Sequence, residues 1–381
     1  MIDLAGIVRS GDGIICGQAC AEPQTLMEAL VAQRAALPGC RLFLGASYSG
    51  IVRPGHADVL RLCSYGGIGT NRVLADAGKL ELLKVPYSRL APMIRGGEIR
   101  ADVVCVQVSP PNARGEYSLG LAADYLVPAL EVCRAVIAEV NDQVPWTRTE
   151  RLLKKEDFDL VVESSRAPAA PRARAPGALD LAIAAHAAAM IPDGATLEFG
   201  IGALPDAVCS ALSSRRDLKI HSGTIGEGVV ALLESALVEK IHCAMLIGGK
   251  ALFDAARDNP RIQLRSSEYT HGESVLAGIE KFVAINSAVE VDLAGQVNSE
   301  VANGSYVGAI GGAPDFIRAA NRSAGGVSLV LVPSSRIVER LTGPVSTPAS
   351  EAGVVVSERG VADLRGCDTA ARERRLRAVM S

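Results

Sequence analysis

Residues 12–30 read DGIICGQACAEPQTLMEAL, and residues 193–212 read DGATLEFGIGALPDAVCSAL. Both stretches begin with Asp-Gly, continue through a short apolar strand and a glycine-containing turn, and pass a proline into a helical segment that ends in Ala-Leu. They lie nearly half the chain apart, which is far too long a period for a solenoid repeat. We therefore predict two similarly folded α/β halves. The alternative is that all strand–glycine–helix units look alike.

A second pair of similar stretches supports the internal repeat. Residues 102–108 form an apolar run that leads into NARGEYS at 112–118. Residues 282–286 form a similar run that leads into DLAGQVN at 292–298, at almost the same offset as the first pair. The repeat therefore extends through several elements of each half.

Unbroken apolar runs at 103–108, 136–140 and 329–332 are bounded by Gly, Pro or Asn. Runs without alternation are typical of strands covered on both faces, so the expected class is α/β with mostly parallel sheets. Between the halves, RAPAAPRARAPG at 166–177 is predicted to be a linker, and 179–190 a helix. The predicted domains are residues 1–175 and 178–381.

Composition excludes several classes of protein. The chain has 381 residues, of which 49% are hydrophobic and 21% charged, so it can bury large cores. Lys and Arg total 39 against 42 Asp and Glu, and aromatic residues make up only 4%. With neither a basic surplus nor stacking residues, a nucleic-acid partner is not expected. No apolar run approaches the roughly 18 residues that a membrane helix needs.

Cysteine and histidine usage indicates a cytoplasmic protein without a bound metal. The nine cysteines are an odd number and form no CxxC pair, which is typical of reduced thiols. Five histidines, at 56, 186, 221, 242 and 271, show no metal-ligand spacing. Neither Cys20 nor Cys209 has a histidine near it in sequence, and the GASYSG stretch at 45–50 lacks the glycine spacing of a nucleophile elbow.

A glycine-rich turn follows the predicted strand at 195–199. It consists of Gly200, Ile201, Gly202, Ala203 and Leu204, and it opens a helix. This context suits an anion at a helix N-terminus, but a simple tight turn explains the pattern equally well. It is not a dinucleotide fingerprint, because a proline takes the place of the third glycine.

A second glycine-rich segment comprises Gly308, Gly311, Gly312 and Ala313, ahead of a predicted helix at 316–321. Its bare amides are candidate donors to a developing oxyanion, although a strand-end turn is the alternative. We expect Asp315 to cap the following helix rather than to titrate.

Glu358 follows the predicted strand at 354–356 and stands beside Arg359 and Gly360. A carboxylate at the carboxyl end of a strand is a candidate general base, and a solvated ion pair with Arg359 is the alternative. His221, after a predicted strand at 218–220, is expected either to orient a substrate carbonyl or to make a structural hydrogen bond.

Taken together, these segments resemble the acetyl-CoA hydrolase/transferase family of glutamate-dependent CoA-transferases. The matching stretches are ACAEPQTLMEAL (19–30), QVSPPNARGEYSLG (107–120), IAEVNDQVP (137–145), GIGALPDAV (200–208), HSGTIGEGVV (221–230), NSAVEVDLAGQVNSE (286–300), GAIGGAPDF (308–316) and SERGVADLRG (357–366). The resemblance implies two tandem α/β domains and an acyl-CoA substrate, with coenzyme A as the only cofactor. It also implies that the loops at 200–204 and 308–313, together with His221, contact CoA or the reacting carbonyl.

The resemblance breaks at the nucleophile. Members of the family attack the acyl-CoA with a glutamate carboxylate and pass through a glutamyl-CoA thioester. That glutamate follows a His-Ser pair, where this chain reads His221-Ser222-Gly223. Gly223 has no side chain to acylate. We expect the vacated space to be a polar hole that admits water or a second substrate.

Three functions remain open. The first is an acyl-CoA thioesterase, or an acyltransferase to a non-carboxylate acceptor, with Glu358 as the general base. The second is a CoA-transferase with a relocated nucleophile such as Glu227. The third is a CoA-binding protein without activity. In each case the partners are acyl-CoA and a small acceptor or water, and a homodimer is the expected assembly.

Overall fold

The computed structural model describes residues 2–381, which form two compact units. The first unit extends to Pro171 and also contains Ala244–Glu268, whereas the second comprises Arg172–Cys243 and Tyr269–Ser381. The segment Ala244–Glu268 thus lies in the second half of the chain but packs with the first unit. The bounds 1–175 and 178–381 stay a prediction.

The first 171 residues carry nine strands and four α-helices within the described part of the chain. The strands are β1 (Gly13–Cys16), β2 (Arg41–Leu44), β3 (Arg61–Ser64), β4 (Glu81–Leu82), β5 (Val103–Val108), β6 (Tyr117–Ser118), β7 (Ala135–Asn141), β8 (Leu152–Leu153) and β9 (Leu160–Ser164). The helices are α1 (Gln24–Gln33), α2 (Asn71–Asp76), α3 (Leu90–Arg95) and α4 (Leu126–Val132).

The sheet of the first unit has the order β4-β3-β2-β1-β5-β7-β9, and every pair in it is parallel. All six residues of β5 are buried, as expected for a strand near the middle of a sheet with helices on both faces. The predicted run 103–108 coincides with β5, and 136–140 lies inside β7. Parallel pairing is therefore confirmed for this half.

The rest of the chain carries thirteen strands and eight α-helices among the described residues. The strands are β10 (Thr196–Phe199), β11 (Leu218–Ile225), β12 (Val238–Leu246), β13 (Ile262–Leu264), β14 (Phe282–Ser287), β15 (Glu290–Asp292), β16 (Val297–Asn298), β17 (Val301–Ala302), β18 (Ser305–Tyr306), β19 (Val327–Leu331), β20 (Ile337–Val338), β21 (Val354–Ser357) and β22 (Gly360–Asp363). The helices are α5 (Ala178–Ala189), α6 (Ala203–Ala211), α7 (Gly228–Glu234), α8 (Lys250–Ala256), α9 (Ser267–Thr270), α10 (Glu273–Leu276), α11 (Ala313–Arg322) and α12 (Thr369–Val379).

The main sheet of the second unit contains the order β12-β11-β10-β14-β19-β21-β22. Strand β10 pairs in parallel with β11 on one side and with β14 on the other, just as β1 pairs with β2 and β5. The two pairs of similar sequence stretches thus fall on equivalent strands. The prediction of two similarly folded α/β halves is confirmed, with β22 as an antiparallel addition at one edge.

The connecting segments agree with the sequence in most places. No strand or α-helix is formed between Ser164 and Ala178, within the described residues, which agrees with the irregular segment predicted there, and its role as a linker stays a prediction. Helix α11 begins at Ala313 with Gly312 as its N-cap residue, three residues earlier than predicted. Asp315 is therefore in the first turn and not at the cap. The prediction for Asp315 was wrong because Pro314 fits the first turn of a helix.

Three further observations concern the cysteines, membrane-spanning helices and metal-binding groups. All nine cysteines are free, and six of them are buried. In the part of the chain that the structure describes, no helix has both the length and the apolar character needed to cross a bilayer. Among the same residues, no group of three or more His, Cys, Asp or Glu side chains is arranged to hold a metal ion.

Candidate active site

The candidate site lies in the second unit, at the carboxyl end of β10. Because β10 has its sequence neighbour β11 on one side and the later strand β14 on the other, this end is a switch point, where ligands of open α/β sheets bind. The chain leaves β10 through Gly200, Ile201 and Gly202 and enters α6 at Ala203 and Leu204.

Two glycines keep the loop between β10 and α6 open. Gly202 has φ +113°, a conformation that residues with a β-carbon rarely adopt. A β-carbon built on Gly200 or on Gly202 would have no atom within 4 Å. The backbone of this loop therefore faces space in which a ligand can approach it closely.

The end of β11 is held against this loop by a buried serine. The Ser222 hydroxyl lies 3.0 Å from the Phe199 carbonyl oxygen and 2.7 Å from the Thr224 carbonyl oxygen. It also lies within hydrogen-bonding distance of the amide nitrogens of Phe199 and Thr224. Ser222 is fully buried, and its hydroxyl joins the end of β10 to the backbone of Thr224, the residue after Gly223.

A β-carbon on Gly223 would make tight contacts with two side chains. A β-carbon on this residue would lie 3.1 Å from Nε2 and 3.2 Å from Cε1 of His271, and 3.6 Å from Cε2 of Phe316. Contacts of 3.0–3.4 Å are tighter than almost all real β-carbon contacts. The polar hole expected at this position stays a prediction, and the atoms nearest to a β-carbon there belong to an imidazole and a phenyl ring.

His271 is the functional candidate that the sequence did not single out. Its side chain is buried, and its Nδ1 lies 2.9 Å from the Thr270 hydroxyl oxygen. Its ring packs against Phe316 with a centroid distance of 4.6 Å. In the sequence it was only one of five histidines that show no metal-ligand spacing. No local signal indicates that residue 271 reaches residue 223, which is 48 positions earlier.

Of the glycines before α11, Gly312 approaches the same imidazole. A β-carbon on Gly312 would lie 2.4 Å from Nε2 of His271, a distance that real β-carbons do not reach. Gly308 is equally restricted, since its β-carbon would lie 2.2 Å from the Ser299 carbonyl oxygen. Gly311, with φ +61°, has no atom within 4 Å of that position. Ala313, the first residue of α11, follows directly.

Glu358 is engaged elsewhere. The Ser334 amide donates to one of its carboxylate oxygens at 2.9 Å, and the Ser334 hydroxyl donates to the other. Burial raises the pKa of Glu358, but the hydrogen bonds from Ser334 and the charge of Arg359 lower it, and the net pKa is below the ordinary value. Three strands separate β21, which precedes Glu358, from β11, which carries Gly223.

Glu227 lies next to another acid. It is the residue before α7, and its charge contributes to raising the pKa of Asp206, although burial is the larger cause. The Asp206 carboxylate accepts a hydrogen bond from the Gly228 amide at 2.9 Å. No atom of Glu227 or Asp206 is among the three atoms nearest to the β-carbon position of Gly223.

His221 belongs to a neighbouring aromatic cluster. Its Nε2 donates to the Thr270 carbonyl oxygen at 2.9 Å, and burial lowers its pKa more than this hydrogen bond raises it. Its ring lies 5.6 Å from that of Tyr269. A cavity of about 260 Å³ borders this cluster, lined by Thr196, Lys219, Ile220, His221, Lys240, His242, Tyr269, Val275, Gly278 and Ile279.

The structure thus brings together only part of the predicted site. Gly223 and Gly312 meet at the ring of His271, and the loop at 200–204 adjoins them through Ser222. Glu358 and Glu227 each have other partners. The centre of the arrangement is a histidine between two glycines.

Known proteins share this chain's sequence and fold. Residues 2–170 match the family model described as the acetyl-CoA hydrolase/transferase N-terminal domain, and residues 248–380 match that of the C-terminal domain. A 4-hydroxybutyrate coenzyme A transferase from Clostridium kluyveri is 35% identical over 316 residues, covering 78% of this chain and 74% of its own.

Two solved structures are similar over nearly the whole length. RipA from Yersinia pestis has a TM-score of 0.92 and 26% identity, covering 99% of this chain and 92% of its own. A 4-hydroxybutyrate CoA-transferase from Porphyromonas gingivalis has a TM-score of 0.80 and 29% identity, covering 98% of this chain and 90% of its own.

Proposed function

Because this chain belongs to the acetyl-CoA hydrolase/transferase family, we propose that it cleaves acyl-CoA thioesters without forming a glutamyl-CoA intermediate. The chain is an enzyme of the transferase or hydrolase kind. The acyl group passes to water or to a hydroxyl or amine acceptor. The observation that carries this proposal is Gly223, which offers no carboxylate and whose β-carbon position lies 3.1 Å from Nε2 of His271.

A covalent relay through residue 223 requires a carboxylate at that position. Glycine supplies none, and a glutamate there would place its β-carbon 3.1 Å from the imidazole of His271. The ring would have to move before a longer side chain could extend past it. The tight contact at the β-carbon position agrees with glycine at residue 223, which supports chemistry without an acylated glutamate.

The glycine-rich loops support the binding of a thioester. We propose that the loop at 200–204 and the segment at 308–313 contact the CoA moiety and the reacting carbonyl. The β-carbon positions of Gly200, Gly202 and Gly311 all face open space. Amides at the start of α11 are suitable donors to the oxyanion that forms when the thioester carbonyl is attacked.

Glu358 is a weak candidate for the general base. A base must accept a proton, but both oxygens of this carboxylate accept hydrogen bonds from Ser334, and its pKa lies below the ordinary value. A lowered pKa reduces the driving force for proton abstraction. We propose that Glu358 instead holds the backbone at Ser334 in place.

The alternative is CoA transfer to a carboxylic acid through Glu227. It is favoured by the name of the Clostridium kluyveri relative, which is a CoA transferase. It requires a carboxylate that now lies beside Asp206 to reach the thioester. The two functions differ in one measurable species, because only the transferase forms a protein–CoA thioester.

The experiment is an incubation of the purified chain with acetyl-, propanoyl-, butyryl- and succinyl-CoA. Free thiol is followed with a chromogenic disulfide, and the intact protein mass is measured during turnover. We expect thiol release and no CoA adduct. A CoA adduct that disappears in the Glu227→Gln variant would support the transferase. If calorimetry shows CoA binding but no thioester is turned over, with or without acetate as acceptor, the result would support a CoA-binding protein without activity.

A further inference from the structure

We propose that a cleft in the first unit binds a nucleotide, with the base stacked on Trp146 and the phosphate held by Arg114 and Arg257. The cleft has a volume of about 450 Å³, and the residues that line it all belong to the first unit. It shares no residue with the glycine-rich loops of the candidate active site. The inference therefore goes beyond the proposed function and does not depend on it.

Three segments of the chain form this cleft. Residues 110–114 follow β5, residues 142–148 follow β7, and residues 257–258 follow α8. Because β5 and β7 are parallel neighbours, the first two segments leave the sheet at the same edge. This carboxyl edge is where open α/β sheets bind their ligands. The volume also lies within the range of about 300–1,000 Å³ that is usual for small-molecule sites.

Trp146 is the single tryptophan of the chain and the only aromatic residue that lines the cleft. It is half-buried, and its Nε1 donates to the Glu116 carbonyl oxygen at 3.0 Å. Its own carbonyl oxygen accepts a hydrogen bond from the Asp258 amide at 2.8 Å. The first bond anchors the indole, and the second ties the segment after α8 to it. An anchored indole offers a π face on which a base of any sequence can stack.

Three arginines line the cleft against two aspartates, so its net charge is positive. Arg148 is already paired with Asp258, with 3.1 Å between Nη2 and Oδ1. Arg114 has its Nε 3.3 Å from Oε2 of Glu116, but 78% of its side chain is exposed, and exposed pairs of this kind contribute little. Arg257 makes no ion pair or side-chain hydrogen bond with any described residue. Two guanidinium groups are therefore available to an anion, and their planar shape matches phosphate oxygens.

The turn that carries Arg114 is ordered by Asn112. The Asn112 Oδ1 accepts hydrogen bonds from the Arg114 amide at 2.9 Å and from the Glu116 amide at 3.1 Å. Its side-chain amide donates to Oε2 of Glu116 at 2.9 Å. The backbone on this side of the cleft is thus fixed in its binding conformation, which reduces the entropy lost when a ligand binds.

Asp142 selects among the anions that the arginines would attract. One of its carboxylate oxygens accepts a hydrogen bond from Nε2 of Gln143 at 2.9 Å, and the carboxylate has further lone pairs. These can accept from the amino group of a base, as acidic side chains do from cytosine. Its negative charge also disfavours a chain of several phosphates. The ligand class is therefore a nucleoside phosphate with an amino-bearing base, a group present in free AMP and within coenzyme A.

The test uses the fluorescence of Trp146, which reports on this cleft because the chain has no other tryptophan. The purified chain is titrated with AMP, adenosine, inorganic phosphate and UMP. We expect a saturable change with AMP. Adenosine and phosphate should bind at least about tenfold more weakly, since each lacks one of the two main contacts, and UMP more weakly than AMP, since uracil has no amino group.

A titration with CoA distinguishes the two sources of the ligand. The same saturable fluorescence change with CoA would support the adenosine phosphate of CoA as the group that binds here. A change with AMP and none with CoA would support a free nucleotide. Fluorescence requires no turnover, so an absence of thiol release would reject the proposed function and leave this inference standing.

Variants test the assigned contacts. Arg114→Gln and Arg257→Gln are each expected to raise the Kd for AMP by about 10- to 100-fold, as for loss of a hydrogen bond to a charged group. Arg72→Gln, on the exposed side of α2, is the matched control and should leave the Kd unchanged. By calorimetry, Trp146→Phe should bind AMP within about threefold of wild type, and Trp146→Leu at least about fivefold more weakly.

Three results would overturn the inference. The first is AMP titration without a saturable fluorescence change or heat of binding. The second is an AMP affinity that neither arginine substitution alters, in variants whose melting temperatures match the wild type. The third is inorganic phosphate binding as tightly as AMP, which would show a site for anions that does not recognise a base.

Discussion

The imidazole of His271 lies beside Gly223, so that a β-carbon on residue 223 would be 3.1 Å from Nε2. The two residues are 48 positions apart and belong to different elements, β11 and the segment after α9. Each residue therefore limits the size of the side chain that fits at the other position. A larger residue at 223 displaces the ring, and a smaller residue at 271 opens a space beside β11.

Alanine at the two glycines should have graded effects. Gly312→Ala places its β-carbon 2.4 Å from Nε2 of His271, whereas Gly223→Ala places it at 3.1 Å. We expect Gly312→Ala to be the more destabilising, by about 1–3 kcal/mol, because overpacking a rigid site forces its neighbours to move. Gly200→Ala, which meets open space, is the matched control. Thermal unfolding of the three variants measures the order, and equal melting temperatures would contradict it.

The stability of a variant that carries a glutamate at residue 223 should depend on the side chain at residue 271. Gly223→Glu alone is expected to lower the melting temperature, since the new side chain collides with the imidazole. In the Gly223→Glu/His271→Ala double variant the ring is gone, and we expect stability to recover relative to Gly223→Glu. The coupling free energy should be about 0.5–3 kcal/mol, the range found for residues in contact.

The same double variant tests the chemistry. A glutamate that fits at residue 223 is expected to accumulate a CoA adduct during incubation with acyl-CoA, detectable by intact mass. Gly223→Gln/His271→Ala, which lacks the carboxylate, serves as the control. Strictly additive unfolding free energies in the stability cycle would show that the two positions do not compete for space.

The sequence predicted the repeat and most strands because both depend on local pattern. The apolar run at 103–108 has a single plausible role, a strand covered on both faces, and it is β5. The replacement of the family's nucleophile by Gly223 is also a prediction from local pattern, since the flanking residues resemble the family motif, and it stays a prediction. The position of His271 beside Gly223 could not be predicted, because the approach of His271 to β11 is decided by long-range packing. A histidine after Thr270 carries no signal of its own.

The hydrogen bonds of Glu358 are a second feature that local sequence pattern does not predict. Its place at the end of a strand was correctly predicted, but Ser334, which binds both of its carboxylate oxygens, is 24 positions away. Hydrogen bonds of this kind decide whether a carboxylate is a base or a structural group. They depend on which loops meet at the sheet edge, and sequence spacing does not reveal that.

Glu358→Gln should therefore reduce thiol release by about tenfold or less, because Glu358 is proposed to position Ser334 and not to accept a proton. Because the folded-state pKa of Glu358 is below its ordinary value, its ionised form stabilises the fold above that value. This contribution is lost as the pH falls through the lowered pKa. Melting temperatures of wild type and Glu358→Gln are thus expected to differ at pH 7 and to converge in acid. A difference that grows in acid would contradict this assignment.

Glu198 provides a test in which the pH dependence of stability has the opposite sign to that expected for Glu358. This residue of β10 is buried, and burial raises its pKa to about 8, although a hydrogen bond from the Asn286 amide group at 2.8 Å lowers it in part. The folded state therefore keeps a proton that the unfolded chain releases above its ordinary pKa of 4.5. Stability is fully present below that value and is lost as the pH rises through about 8.

Glu198→Gln, a neutral side chain of the same shape, removes this dependence. We expect the variant and the wild type to melt at similar temperatures at pH 5, and the variant to be more stable at pH 9 by about 1 kcal/mol or more. Differential scanning calorimetry across that range measures the divergence, with Glu156→Gln, in a short 3₁₀ segment of the first unit, as a control. A wild type that gains stability relative to Glu198→Gln between pH 5 and 9 would show that the carboxylate is ionised in the fold.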